Sequence, residues 1–210
     1  MNDIKQGSDE WFAARLGKAT ASKIADILAT IKSGESASRR NYRVELVCER
    51  LTGVRGETYT NPHMIRGTEL EPLARALYES KMNVFVDEIG FVDHPTIPMS
   101  GASPDGLVGN DGLIEIKAPT AANHLDTILS GSAPSKYISQ MQWQMACTGR
   151  AWCDFVSFNA EMPSELQLFI KRVPRDDEFI ASTEKAVSEF LAEVASTVET
   201  LKELQHGNTI

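Results

Sequence analysis

Ser100-Gly101-Ala102-Ser103-Pro104-Asp105-Gly106-Leu107-Val108, Gly109-Asn110-Asp111-Gly112 and Leu113-Ile114-Glu115-Ile116-Lys117-Ala118-Pro119 run consecutively, and this stretch decides the fold. Side chains two apart in a strand share a face. Glu115 and Lys117 therefore lie with Leu113, while Ile114 and Ile116 face the other way, toward a core. The Gly-Asn-Asp-Gly spacer is a hairpin signal, because Gly and Asn tolerate the positive φ of a tight turn. Register then decides where Asp105 goes. If Val108 pairs with Gly112 around a three-residue loop, Asp105 falls opposite Glu115 on the same face. If Val108 pairs with Leu113, it faces away. The expectation is the odd-length loop, or a bulge at Gly109 or Gly112. Pro104, which has no N–H to give a ladder, suits a strand start.

Two carboxylates and an ammonium on one strand face are costly to bury without partners. A divalent cation and a phosphate would be such partners. Asp105, Glu115 and the backbone carbonyl of Ile116 form a hard-oxygen set suited to magnesium. Lys117 would orient or deprotonate a water, or stabilise developing charge. Phosphodiester hydrolysis needs these parts. An exposed hairpin with an ordinary Glu/Lys pair would carry the same residues.

Outward from the hairpin, the period changes. Toward the N-terminus the pattern is helical: Ser8 caps a helix with Trp11, Phe12 and Leu16 inward, and Thr20-Ala21-Ser22 caps a second through Ile24, Ile27 and Leu28. Arg40 to Leu51 gives a third, ended by Gly53, and residues 62–81 a fourth. Val84-Phe85-Val86 and Ile89-Gly90-Phe91-Val92 read as strands. Beyond the hairpin, residues 135–147 read as helix, and Trp152 to Phe158 and Leu166 to Val173 as strands. A long amphipathic helix then carries Phe179, Thr183, Val187, Phe190, Val194, Val198 and Leu201. Its apolar side would cover a sheet face or meet another subunit. The fold class is α/β (α+β), with a central mixed β-sheet flanked by helices, in a single domain over residues 1–210.

The chain has 210 residues, 42% hydrophobic and 24% charged, which suits a globular domain with its own core. No apolar run is long enough to span a membrane. Met1-Asn2-Asp3-Ile4-Lys5-Gln6-Gly7-Ser8 lacks the pattern of a secretory signal. A cytoplasmic protein is expected. Cys48, Cys147 and Cys153 form no CxxC pair and read as small buried residues. A net charge of −8 opposes binding to nucleic acid over long range. It leaves room for a local positive surface, for which Lys32, Arg39, Arg40 and Arg43 are candidates.

Asp105 followed by Glu115-x-Lys117 resembles the PD-(D/E)XK nuclease signature. Gln6-Gly7-Ser8-x-x-Trp11-x-x-x-Arg15-x-Gly17-x-x-Thr20-Ala21-Ser22 is similar to the start of phage lambda exonuclease and its relatives, the YqaJ-type alkaline exonucleases. Gly67-x-x-x-Glu71 and Gln140-x-Gln142 match as well, in order, along roughly residues 6–175. The resemblance implies a restriction-endonuclease-like core and a 5′→3′ exonuclease. Such an enzyme digests one strand of linear double-stranded DNA from its ends and leaves a 3′ tail for recombination. It implies a ring-shaped homotrimer, a single-strand-annealing recombinase as partner, and two Mg2+ ions replaceable by Mn2+. For a phage-encoded protein the compartment would be the host cytoplasm.

By the same resemblance, Asp105 and Glu115 are metal ligands, Lys117 is the catalytic lysine, and Glu71 is an acidic group near the metals. Arg15, Ser22, Ser103 and Gln142 match a pocket for the 5′-phosphate, with Gln140 beside it. Read alone, Arg15 would be a surface arginine paired with Asp9 or Glu10, and Glu71 a solvated carboxylate beside Pro72. Gln140 and Gln144 share a helix face, and Gln142 lies nearly opposite. Lys32 stands in the loop where the family grips DNA near its opening; lysine keeps the charge without the planar fork of arginine. Competing readings are an endonuclease or repair nuclease on the same fold, and a non-catalytic DNA-end-binding module.

Overall fold

The structure is a computed structural model that describes residues 4–56 and 62–207. Met1–Asp3, part of the stretch read for a secretory signal, lie outside the described residues. No described helix is long and apolar enough to cross a membrane. Helix α1 (Asp9–Arg15) starts at Ser8, whose hydroxyl accepts the Trp11 N–H. Strand β1 (Ala19–Thr20) leads through a 3-10 turn at Ala21–Lys23 into the short helix α2 (Ile24–Ile27). Helix α3 (Ala37–Thr52) is capped by Ser36 and stopped by Gly53 at φ +68°, a left-handed position that a side chain would strain. Helix α4 (Pro62–Met82) follows, then strands β2 (Val86–Asp87), β3 (Val92–Asp93), β4 (Ser100–Ala102), β5 (Gly106–Val108) and β6 (Gly112–Lys117). Helices α5 (Ala121–Ser130) and α6 (Ser135–Thr148) cross over to β7 (Trp152–Phe158). Strand β8 (Leu168–Pro174) and helix α7 (Asp177–Gly207) complete the order.

The main sheet runs β2-β5-β6-β7-β8, and a small sheet runs β1-β4-β3. Strands β5 and β6 are antiparallel, with Val108 opposite Gly112 and Gly106 opposite Ile114. This is the three-residue loop expected from the spacer. Strand β6 then pairs parallel with β7 through its whole length. A parallel partner requires a long crossover, and α5 and α6 supply it. The alternation along β6 divides the core. Leu113 packs with Met141 and Met145 of α6 and with Phe155. Ile114 and Ile116 pack on the other face with Ala74 and Tyr78 of α4.

Several details depart from the sequence reading. Trp11, Phe12 and Leu16 are half-buried rather than inward, so α1 is a surface helix. Thr20 makes no side-chain cap; its N–H instead meets the Tyr42 hydroxyl at 3.0 Å. The strand read at 84–86 shrinks to Val86–Asp87, and Phe85 is 88% exposed. Helix α7 packs chiefly on α2, α3 and α6, burying Val187, Phe190, Val194 and Val198 in a separate core. Only Ile180, near its start, joins the core of the main sheet. Cys48 is exposed; Cys147 and Cys153 are buried as expected. The basic cluster is not a free positive surface at Arg39 and Arg43, which pair with Glu35 and Glu193.

Candidate active site

The odd loop places Asp105, the residue before β5, across from Glu115 on the face that β6 turns toward α6. The Ile116 N–H donates to Asp105 Oδ2 at 2.6 Å. N–H and C=O of one strand residue leave on the same edge. The Ile116 carbonyl therefore faces the Asp105 edge, beyond the last β5 rung at Gly106–Ile114. Glu115 is fully buried. Its Oε1 accepts from Gln140 Nε2 and its Oε2 from Gln144 Nε2, each at 2.6 Å, and Lys117 Nζ lies 2.5 Å from Oε1. Gln140 and Gln144 stand one turn apart on α6, so one helix face holds both carboxylate oxygens. Gln144 turns its donor end to Glu115 and leaves its own buried Oε1 without a partner. An unsatisfied buried acceptor is a local cost, accepted here where it fixes a carboxylate.

Burial, then repulsion from Glu115 and Glu71, raises the Asp105 carboxyl well above the usual range, against the pull of Lys117. Burial raises Glu71 too, with Glu115 contributing and Arg75 opposing. Burial alone would lower the Lys117 amine, but Glu115 and Asp105 outweigh it and hold the ammonium charged. Glu71, on α4, is half-buried and bound to Arg75 at 2.6 Å; Arg75 also pairs with Glu88 at 2.5 Å. Among the described residues no three His, Cys, Asp or Glu side chains form a ready-made metal cage. The donor set that fits a cation is instead Asp105, Glu115 and the Ile116 carbonyl. Mutual repulsion of the acids is what a divalent cation would relieve.

A second group lies on the Ser103 side of Asp105. Ser103 Oγ accepts from Trp11 Nε1 at 2.9 Å and from Arg15 Nη1 at 3.1 Å. The Arg15 guanidinium lies 4.1 Å over the Trp11 ring rather than on Asp9 or Glu10. Burial pulls it below its ordinary value, yet a guanidinium stays charged. Thr20 pairs with Gly101, so Ser22 and Ser103 both emerge two residues beyond that rung, at the same ends of neighbouring strands. Ser22 is exposed, as is Lys32 in the loop before α3.

Gln142 does not join them. It sits on the opposite face of α6, its Nε2 donating to the Pro174 carbonyl and its Oε1 accepting the Asp176 N–H, both at 2.9 Å. Both ends of the amide are occupied by the turn between β8 and α7, which separates Gln142 from the residues expected to bind a 5′-phosphate. Gln140 holds Glu115 rather than standing beside that pocket.

Sequence reasoning placed Gln144 on the face of Gln140 but gave it no role at the site. It also missed Gln6 as a tie. The Gln6 amide donates to the Ile89 and Pro104 carbonyls at 2.8 and 2.7 Å and so anchors the turn into Asp105. The Trp11 indole gave no local signal, since its partner Ser103 lies far away in sequence; Arg75 was overlooked although Glu71 stands four residues before it.

The profile of the YqaJ-like viral recombinase domain matches residues 10–151, more than half of the chain. The chain belongs to the YqaJ-like viral recombinase family. Among solved structures, an alkaline exonuclease (LHK-Exo) from Laribacter hongkongensis is 52% identical. It superposes with a TM-score of 0.90 over 95% of this chain and 99% of that one. The same enzyme in complex with dAMP matches with the same values. A phage related exonuclease from Haemophilus somnus 129PT is 16% identical, with a TM-score of 0.68 over 88% of this chain and 96% of that one; it shares the fold. The comparison with curated proteins gave no match. The matched residues include both candidate groups and end just before β7.

Proposed function

We propose that this single domain is a magnesium-dependent exonuclease that digests the 5′-ended strand of linear double-stranded DNA and leaves a 3′ single-stranded tail. The observation that carries the reading is the cluster of Asp105, Glu115 and Lys117 at the hairpin, with Arg15 and Ser103 beside it. The 52% identical relative is an alkaline exonuclease solved with dAMP, a nucleoside monophosphate such as this reaction would release.

Asp105, Glu115 and the Ile116 carbonyl would hold the metal, with Glu71 at the margin. Two Mg2+ ions, or Mn2+ in their place, would supply charge neutralisation at the scissile phosphate and an acidified water. The protein does the rest. Gln140 and Gln144 aim Glu115, and the Ile116 N–H aims Asp105. Lys117, on the same strand face as Glu115, would place positive charge against the phosphate oxygens or orient the attacking water. Arg15, with Ser103 and Ser22 as neutral donors, would grip the 5′-phosphate. Lys32 is exposed and free to meet duplex backbone near the opening.

The remaining assignments follow the family: a ring-shaped homotrimer, a single-strand-annealing partner and action in the cytoplasm. The test is digestion of end-labelled linear duplex, comparing 5′-phosphate with 5′-hydroxyl, with magnesium and with a chelator. Release of mononucleotides from the 5′-phosphorylated end, only with metal, is the expected result. Cutting of closed circles would favour an endonuclease, and metal-independent activity would remove the site assignment.

A further inference from the structure

A cavity of about 530 Å3 opens on the far side of Lys117 from Arg15 and Ser103, between β6, α5 and the turn into α6. Its size suits a small ligand or one residue of a polymer. Across the main sheet Asp105 adjoins β5, Lys117 ends β6 and Ser157 lies on β7. The cavity, lined by Lys117 and Ser157, thus continues past the carboxylates in the direction away from Ser103.

Its chemistry is that of an anion site. Lys117 Nζ lies 5.2 Å from the centroid of the Tyr137 ring, and Lys136 Nζ lies 4.8 Å from it. The two ammoniums are therefore no farther apart than those distances together. Tyr137 is itself fixed by stacking on Phe155, with ring centroids 5.6 Å apart. Asn123, Ser132 and Ser135 add neutral donors to the wall, and Asp126 is the one carboxylate among the lining residues. Glu115 pairs with Lys117, whereas Lys136 is exposed in the first turn of α6, against the Tyr137 ring.

We propose that this cavity is a phosphate subsite for the nucleotide that follows the scissile bond, with Lys136 as its principal cation. The assignment rests on the nuclease reading. It adds a second grip on the cleaved strand, so that the phosphate under attack is held between two anchored neighbours. The same chemistry would accept the phosphate of a released nucleoside monophosphate, and the measurement separates the two sources.

Lys136→Gln and Asp126→Asn are the variants, because both side chains are exposed and neither touches the reacting groups. Binding of a 5′-phosphorylated duplex is measured in a chelator, as a function of salt, together with inhibition of digestion by dAMP. Lys136→Gln should weaken duplex binding several-fold and reduce the salt slope by about one. Asp126→Asn should tighten it. If instead only dAMP inhibition responds, the phosphate held is that of the product. Duplex affinity, salt slope and dAMP inhibition all equal to wild type in both variants would overturn the subsite. Wild-type protein that neither binds nor digests DNA would refute the nuclease reading instead.

Discussion

At the scale of single residues, the candidate site is a set of charges made tolerable by named partners. Asp105 has the clearest consequence. Its carboxyl is raised above the ordinary range, so the folded state favours the protonated form. Its contribution to stability is then present at low pH and is lost as pH rises past the ordinary carboxylate value. Without metal, Asp105→Asn should melt higher than wild type at about pH 8 and converge with it toward about pH 4. The same variant should lose more than about 100-fold in cleavage and should no longer be stabilised by added magnesium. Calorimetry with and without metal reads all but the cleavage. Gln144→Leu keeps the volume but removes a donor from buried Glu115. It should cost about 1–3 kcal/mol of stability and about 10- to 100-fold in metal affinity or rate. Unchanged magnesium titration in that variant would show that Gln144 does not aim Glu115. Gln142, its neighbour two positions away, is a reminder that a motif letter carries no direction. The face on which it falls in α6, visible from the spacing, was the better guide.

At the scale of elements, the site depends on a loop length. Gly109, Asn110 and Asp111 are the only residues between paired Val108 and Gly112. Inserting one glycine after Asn110 should move β5 by one rung, turn Asp105 away from Glu115 and abolish cleavage. Far-ultraviolet circular dichroism should stay near wild type, because both strands remain. Retained activity would mean that Asp105 reaches the centre by another route. The hairpin was legible because its glycines and its alternation agree. Strands β1 and β4 were not: at two and three residues they are too short to show a period, and only pairing in the β1-β4-β3 sheet defines them. Helix α5 was missed because little of it is buried; Leu125 and Leu129 are exposed, and His124 and Thr127 are the buried side chains. Its helical identity lies in tertiary ties, with His124 bound to Ser157 and the Leu166 carbonyl, both at 2.7 Å.

At the scale of the whole molecule, the acidic balance is partly spent internally. Glu193 of α7 and Glu35 neutralise Arg39 and Arg43, which would otherwise have offered DNA a positive face. Arg43 first, with burial opposing and Arg39 assisting, holds the Glu35 carboxyl down to about 2. The helical layer also meets the rest of the protein at His94, which stacks on Trp143 with ring centroids 4.7 Å apart and lies 3.2 Å from Glu184 of α7. Burial pushes this imidazole down, and Glu184 only partly offsets it. The folded state therefore prefers neutral His94. Stability should be full above the ordinary histidine value of about 6.5 and fall as pH drops through and below it. His94→Gln should flatten that part of the melting curve, shifting the acid-side midpoint by a few degrees at most. A difference in midpoint between wild type and His94→Gln that is the same at about pH 7 and at about pH 5 would refute this role.

The unequal exposure of the three thiols offers a practical opening. Cys48 stands open on α3, while Cys147 and Cys153 are enclosed and burial raises their thiol pKa above the ordinary range. A maleimide should attach one dye per native chain and reach the other two sulfurs only after unfolding. Fluorescent reporters could thus be placed at one defined position without any mutation, and the proposed action on DNA tested molecule by molecule.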